Sequence, residues 1–257
     1  SAAMVYEIRD PRPLMPLFGP WEETMLYSCF QGVMGKLYAD SSLAPRWALA
    51  ELGDFAFLAG APCEEAVRHP LFSRAFCILT PQSEAWSQAI ETVWGRQARA
   101  VWRYATRKDP DAFDPGVLLQ AENSLPAGFT LREMDESLYH ACRSALWSRD
   151  LVGQFPDWES FSRLGLGVAV LAPDGSLAAG AGTYSRYMEG IEIEIDTRPD
   201  LRRRGLAMAC GARLIRLCLR SGLYPSWDAQ NPGSLALSEK LGYTFSHRYR
   251  AYEVTAE

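Results

Sequence analysis

The chain has no run of the roughly 18 apolar residues that a membrane-crossing helix needs, and its N-terminus shows no charged-then-apolar leader. It therefore reads as neither spanning a membrane nor exported. Histidine is scarce, and His69, His140 and His247 stand at no metal-ligand spacing from Cys29, Cys63, Cys77, Cys142, Cys210 or Cys218. No Cys-x-x-Cys pair occurs, so no structural zinc or other metal is expected. The apolar neighbours of these cysteines point instead to free, buried thiols in a reducing cytoplasm. Basic charge is not in excess either. The 26 Lys and Arg face 31 Asp and Glu, for a net charge of −5, which argues against a general nucleic-acid binder.

What is present is enough apolar residue, 48% of 257, to bury a full core in one large domain or two small ones. Ser1-Ala2-Ala3 ahead of Met4 reads as a cloning remnant and is set aside. The most informative stretch lies late in the chain. Ile191 to Thr197 alternates apolar and acidic residues at period two, which predicts a half-buried strand ended by Pro199. Beyond it, Leu206, Cys210, Leu214 and Leu217 recur at helical spacing, predicting a helix that runs to about Gly222. Between strand and helix sits Arg202-Arg203-Arg204-Gly205-Leu206-Ala207. Backbone N–H groups and a positive dipole end would converge there, which suits an anion. The basic stretch Arg198 to Arg220 holds seven arginines and one acid, Asp200. Taken alone, such a run is also compatible with a solvated charged face. The turn is no P-loop, lacking Gly-Lys-Ser/Thr, and no dinucleotide fingerprint.

A second pattern follows the helix. Leu223 to Ala229 is a short apolar segment, Asn231 is an N-cap candidate, Pro232 suits the first helical position, and Gly242 is a stop. The spacing Arg202-x-x-Gly205-x-Ala207, followed by Asn231-x-x-Ser234-x-x-Leu237-x-x-Lys240-Leu241-Gly242-Tyr243, resembles the paired signature of the GCN5-related N-acetyltransferase (GNAT) superfamily. The resemblance implies an α/β (α+β) GNAT fold in the C-terminal half, with a central mixed, mostly antiparallel sheet flanked by helices. It also implies that backbone amides of the turn hold the pyrophosphate of acetyl-CoA, with Arg202, Arg203, Arg204, Gly205, Leu206 and Ala207 as the cradle. The strand before the turn would meet the thioester carbonyl through Ile195, Asp196 and Thr197, with Asn231 and Ser234 near the pantetheine arm. Asn231 and Ser234 read equally well as cap and surface residues.

The C-terminal half is expected to begin after the break Asn123 to Gly128, giving an accessory domain over 4–122 and a catalytic domain over 128–257. In the latter, strands are predicted at Phe129–Arg132, Gly167–Ala172, Leu177–Tyr187, Tyr243–Phe245 and His247–Val254. Helices are predicted from Asp135 through Tyr139, Cys142 and Leu146, and over Asp157–Leu164. In the N-terminal half, Leu37–Ala39 and Trp47–Leu58 look strand-like. A helix near Thr80-Pro81 would carry Trp86, Ile90, Val93, Trp94 and Val101 on one face, as core. This half shows no acetyl-CoA turn and no repeat of the later motifs. Tyr27–Gly32 and Gly53–Gly60, with the paired motifs, resemble a longer, two-domain branch that includes the zwittermicin-resistance type of self-protection acetyltransferase. That resemblance implies a degenerate GNAT-like half ahead of the active one.

Acetyl transfer from a thioester to an amine requires an anchored cofactor, a donor for the developing oxyanion and removal of a proton from the ammonium. Glu192 and Glu194 project from one strand face, with Asp196 continuing the row. Repulsion within such a row could raise a pKa into a useful range. Glu194 is the first candidate base and Glu192 the second, against the alternative of a solvated strand face. In the family, a tyrosine seven residues after the motif's Asn often serves as general acid. Here that position is Ser238, a poor proton donor to a thiolate, which leaves the step to water or to Tyr243, Tyr224 or Tyr184. The leading expectation is a cytoplasmic N-acetyltransferase, monomer or homodimer, acting on a primary amine of a small molecule such as an antibiotic or aminated natural product. The alternatives are an acyl-CoA-binding sensor without chemistry, a protein or peptide amine acetyltransferase and, least in keeping with the charge, a nucleic-acid module. Tyr184, Tyr187, Trp147, Trp158 and Trp227 could line an acceptor site but read better as core.

Overall fold

The structure, a computed structural model, describes residues 4–256; Glu257 and the Ser1-Ala2-Ala3 remnant lie outside the described residues. The chain forms two compact units, one of Ser1–Arg103 with Arg248–Glu257 and one of Tyr104–His247.

The first unit carries strands β1 (Tyr6–Ile8), β2 (Lys36–Ala39), β3 (Trp47–Leu52), β4 (Phe55–Gly60), β5 (Phe76–Pro81) and the start of β6 (Ala98–Thr106). Its helices are α1 (Met15–Phe18), α2 (Thr24–Gln31), α3 (Glu64–Arg68) and α4 (Glu84–Trp94). Neighbouring strands pair antiparallel from β1 to β4, and β4 then pairs parallel with β5. The chain's last strand, Phe245–Thr255, lays Tyr252–Thr255 antiparallel on β5. The apolar stretch Trp47–Leu58 becomes a hairpin because Gly53, at φ +57°, turns the chain between β3 and β4. Trp47, Leu49, Leu58, Leu79, Trp86 and Ile90 form the core. The structure corrects the helix predicted near Thr80. Thr80 and Pro81 end β5, and Ser83 caps α4 by accepting the Trp86 N–H. Gly95, with φ +54°, stops α4, which places Val101 in β6 rather than on the helix.

The second unit runs α5 (Pro115–Glu122), β7 (Thr130–Glu133), α6 (Glu136–Arg143), α7 (Trp158–Leu164), β8 (Val168–Leu171), β9 (Leu177–Tyr187), β10 (Gly190–Thr197), α8 (Leu206–Arg220), β11 (Tyr224–Ser226), β12 (Asp228–Ala229) and α9 (Pro232–Leu241). From β7 onward its sheet repeats the order of the first unit, antiparallel from β7 to β10 and parallel at β10·β11. Asp135 and Asp157 cap α6 and α7 as their spacing predicts, accepting from Leu138 and Ser160 N–H groups at 2.8 Å. Such caps stabilise a helix by about 1 kcal/mol. Helix α6 stops at Arg143, so Leu146 lies outside it and is exposed. Tyr243 precedes the last strand instead of forming one, and the two short strands expected at the end are one.

Helix α8 is buried on two sides, which explains its length. Leu206, Cys210, Leu214 and Leu217 pack on the sheet beside Val168, Val170 and Ile191, while Ala212 and Ile215 meet Leu118, Trp227 and Tyr243. Arg213 and Arg216, part of the basic run, hold the buried carboxylate of Glu122 from α5, with Arg216 contacts of 2.5 and 2.9 Å. Burial by itself would raise the Glu122 pKa, but hydrogen bonds from Arg216 and Arg213 prevail and hold it below the ordinary glutamate value. A carboxylate with a lowered folded pKa stabilises the fold above its unfolded value and loses that contribution as pH falls through the folded one. Glu122→Gln is therefore expected to cost about 2 kcal/mol near neutral pH and progressively less on acidification. Urea denaturation of both proteins across that range checks this, and an equal loss at all pH values would contradict it.

The six cysteines are free thiols, five of them buried. Burial pushes Cys142 and Cys210 up to about 12, which keeps them inert. Among the described residues, no helix is long and apolar enough to cross a membrane, and no group of His, Cys, Asp and Glu is placed to hold a metal ion.

Candidate active site

Strand β10 is paired along its whole length with β9 but with β11 only at Gly190, Ile191 and Glu192. From Ile193 to Thr197, no strand among the described residues lies against its other edge. The Arg198 N–H donates to the Ala178 carbonyl, so the backbone groups of Asp196 and Glu194 face β9 by alternation. Those of Ile193, Ile195 and Thr197 face the open edge. Of the three residues expected at the thioester, Ile195 and Thr197 thus present backbone N–H groups there, and Asp196 does not.

Beyond β10, the turn is held in an uncommon conformation. Arg203, at φ +66°, is the one non-glycine residue with positive φ among those described, and Gly205 follows at φ +79°. Left-handed backbone costs a side-chain-bearing residue about 1 kcal/mol and persists where the surroundings demand it. Helix α8 then begins with no side-chain cap, unlike α6, α7 and α9. Its first N–H groups are left for water or a ligand. They open on a cleft of about 340 Å3 lined by Thr197, Arg202, Arg203, Gly205, Leu206 and Ala207, with Leu237 and Lys240 from α9. Arg204 is exposed and outside that lining. Leu237 and Lys240 had no assigned role in the sequence. Their three-residue spacing, which puts both on one helix face, was the available signal.

The acidic row takes the opposite face of β10 from Ile191, Ile193 and Ile195. Glu192 is buried, whereas Glu194 and Asp196 are half-buried. Burial pushes the Asp196 pKa above the ordinary aspartate range, and the Asp150 charge adds to this, against a hydrogen bond with Glu194 and the field of Arg202. A hydrogen bond between two carboxyl groups needs one proton between them, which ties the protonation of Asp196 to that of its neighbour. Asp150 reaches the row because Gly180 and Gly182, opposite Asp196 and Glu194, admit the turn bearing it. A Cβ on Gly182 would lie 2.0 Å from the Leu151 carbonyl oxygen.

Three expected contributors are occupied with structure. Asn231 Oδ1 accepts the Ser234 N–H at 2.8 Å, capping α9, and Ser234 Oγ accepts from Trp227 Nε1 at 3.2 Å. Neither lines the cleft. Ser238 is wholly buried, and its hydroxyl donates to the Leu235 carbonyl at 2.7 Å. Ser238→Ala is accordingly expected to keep turnover within a factor of about three; steady-state rates check this, and abolished turnover with intact cofactor affinity would contradict it. The phenols are no better placed as acids. Tyr243 donates to the Pro225 carbonyl, and burial raises its pKa well above that of a free phenol. Burial likewise pushes Tyr224 up to about 12. Tyr184, Tyr187 and Trp227 are core residues, while Trp147 and Trp158 are half-buried.

An open strand edge leading into an uncapped helix start presents unpaired backbone N–H groups to one cleft, an arrangement that suits an acceptor-rich or anionic ligand. Similarity to known proteins agrees with that geometry. The family model for GNAT acetyltransferases matches residues 15–252, and the chain belongs to this family of N-acetyltransferases. It is 25% identical over 248 residues to YdfB of Bacillus subtilis (strain 168), called an uncharacterised N-acetyltransferase, with 89% of each chain covered. A solved GCN5-related N-acetyltransferase-like protein from Streptococcus suis 89/1591 superimposes with a TM-score of 0.91 at 46% identity, over 95% of this chain and 98% of that one. A tandem GNAT protein from the clavulanic acid biosynthesis pathway shares the fold, with a TM-score of 0.54 at 13% identity over 87% and 83% of the two chains. The two units are a tandem GNAT-like arrangement of mixed sheets flanked by helices.

Proposed function

We propose that the protein transfers an acetyl group from acetyl-CoA to a primary amine of a small molecule, and that the second unit does the chemistry. The observation that carries this reading is the uncapped start of α8 behind the left-handed Arg203 and Gly205, continuous with the open edge of β10. In the first unit, the corresponding helix α3 has five residues and no arginine-rich turn precedes it. That unit is the accessory half.

Backbone N–H groups at the start of α8 hold the pyrophosphate, and the arginines and Lys240 add positive field. Ile195 and Thr197 N–H groups stabilise the thioester oxyanion, a contribution that falls away if the carbonyl shifts by an ångström. Glu194 takes the ammonium proton, Asp196 tunes it, and Glu192 is the second candidate base. The freed amine attacks the carbonyl carbon, the C–S bond breaks, and CoA leaves as thiolate; the nitrogen gives its second proton to water, and water returns one to the thiolate. The row of carboxylates favours a cationic acceptor, in keeping with an aminated natural product or antibiotic, as in the zwittermicin-resistance branch. A panel of amines and aminated antibiotics, read by CoA release, tests the reading. Acetyl-CoA binding without CoA release for any amine would replace it with the sensor reading.

A further inference from the structure

We infer that the first unit carries a small-molecule site of its own, which takes a zwitterion of amino-acid size, the ligand's ammonium on Glu51 and its carboxylate on Lys36 and Arg74. The site is a pocket of about 260 Å3 lined chiefly by Lys36, Tyr38, Glu51, His69, Ser73 and Arg74. That is below the roughly 300–1,000 Å3 of pockets for drug-sized ligands, which suits a smaller molecule.

The fold brings the charges together. Trp47, Leu49 and Glu51 alternate onto one face of β3, and the first two belong to the apolar core. The next position in that row is a carboxylate, where leucine would have served the packing. Lys36 stands directly opposite Glu51 in the β2·β3 register, so the two side chains rise from the same face. His69, from the His69–Leu71 turn, and Arg74, just beyond it, close the other side, with the imidazole 4.4 Å from the Tyr38 ring. Arg74 is fixed by donating through Nη1 to the Gly53 carbonyl.

Glu51 is only loosely compensated. Its side chain is 8% exposed, and it lines the pocket from which that part is reached. His69 Nδ1 lies 3.3 Å and Arg74 Nη2 3.6 Å from its oxygens, both longer than the roughly 2.7–2.9 Å of a charge-assisted hydrogen bond. A carboxylate offers about four lone-pair sites, so acceptor capacity remains towards the pocket. Burial raises the Glu51 pKa, and the fields of Arg74 and His69 offset this only in part. Lys36 does not make up the difference, since its ammonium lies at the rim, 3.7 Å from Glu7. A simple anion in this pocket would meet Glu51, and a simple cation would meet Lys36 and Arg74. A zwitterion meets an opposite charge at each end. Every lining residue belongs to the first unit, so the inference goes beyond acetyl transfer by the second unit and does not rest on it.

L-Alanine is the probe, read at its methyl group by saturation-transfer NMR on the full chain. N-Acetyl-L-alanine, which lacks the ammonium, and L-alaninamide, which lacks the carboxylate, are the controls. L-Alanine is expected to bind saturably at millimolar concentration and both controls about ten-fold or more weakly. Glu51→Gln keeps the shape of the side chain and removes its charge, and should weaken L-alanine about ten-fold or more. Lys36→Met tests the other end on a side chain that is 64% exposed and outside the core, and should weaken L-alanine in the same direction. Far-UV circular dichroism checks that each variant is folded. No saturable L-alanine binding, either control binding as tightly as L-alanine, or unchanged affinity in either folded variant would overturn the inference.

Discussion

Gly205→Val is expected to weaken acetyl-CoA binding roughly ten- to a hundred-fold while leaving the protein folded. The reason is backbone strain rather than crowding. Nothing lies within 4 Å of a Cβ placed on Gly205, yet its φ of +79° is a conformation that β-branched residues avoid. Holding valine there costs about 1–3 kcal/mol, so the variant relaxes the turn and turns its N–H groups away from the phosphates. Arg203 already bears one left-handed residue in the same turn, which leaves little room for a second. Calorimetric titration with acetyl-CoA measures the loss. Unchanged affinity in a folded variant would mean that the pyrophosphate sits elsewhere.

The second large effect is on the chemical step. Glu194→Gln is expected to lower kcat by about 100- to 10,000-fold, the usual span for a general base, with little change in acetyl-CoA affinity. Asp196→Asn separates the base from its partner. Removing a neighbouring carboxylate makes the base easier to ionise, so the acidic limb of the pH–rate profile should move to lower pH. The stability effect follows from the same raised pKa. A carboxyl held above its unfolded value is most comfortable in its neutral form, so the wild-type chain loses stability as pH rises through the folded value. Asparagine has no such dependence. A pH–rate profile of the asparagine variant that overlays the wild type would sever the two residues, and a glutamine variant with full kcat would move the role to Glu192.

The parts of this site that were legible in the sequence are those written locally. Strand β10 announces itself by alternation, α8 by apolar spacing that ends near Gly222, and α9 by Asn231, Pro232 and Gly242. What was missed depends on residues distant in the chain. The capture of Arg213 and Arg216 by Glu122 crosses more than ninety positions, so the basic run looked like one field when part of it anchors α5. The approach of Asp150 to Asp196 depends on glycines in β9 whose purpose is invisible until the Arg149–Leu151 turn is seen against them. Asn231 shows the converse. Its type and position suit a ligand contact and a cap equally, and the structure uses it as a cap. In the first unit, Gly95 ends the helix, although Val101 continues the helical spacing beyond it in the sequence.

Backbone amide exchange with and without acetyl-CoA tests the central claim most directly, because the claim concerns main-chain N–H groups that no side-chain substitution removes. Slower exchange on binding is expected at Ile195, at Thr197 and across Arg203–Met208, with no change at the turn before α3 in the first unit. Unaltered exchange across Arg203–Met208, or protection at the first unit's turn instead, would contradict it.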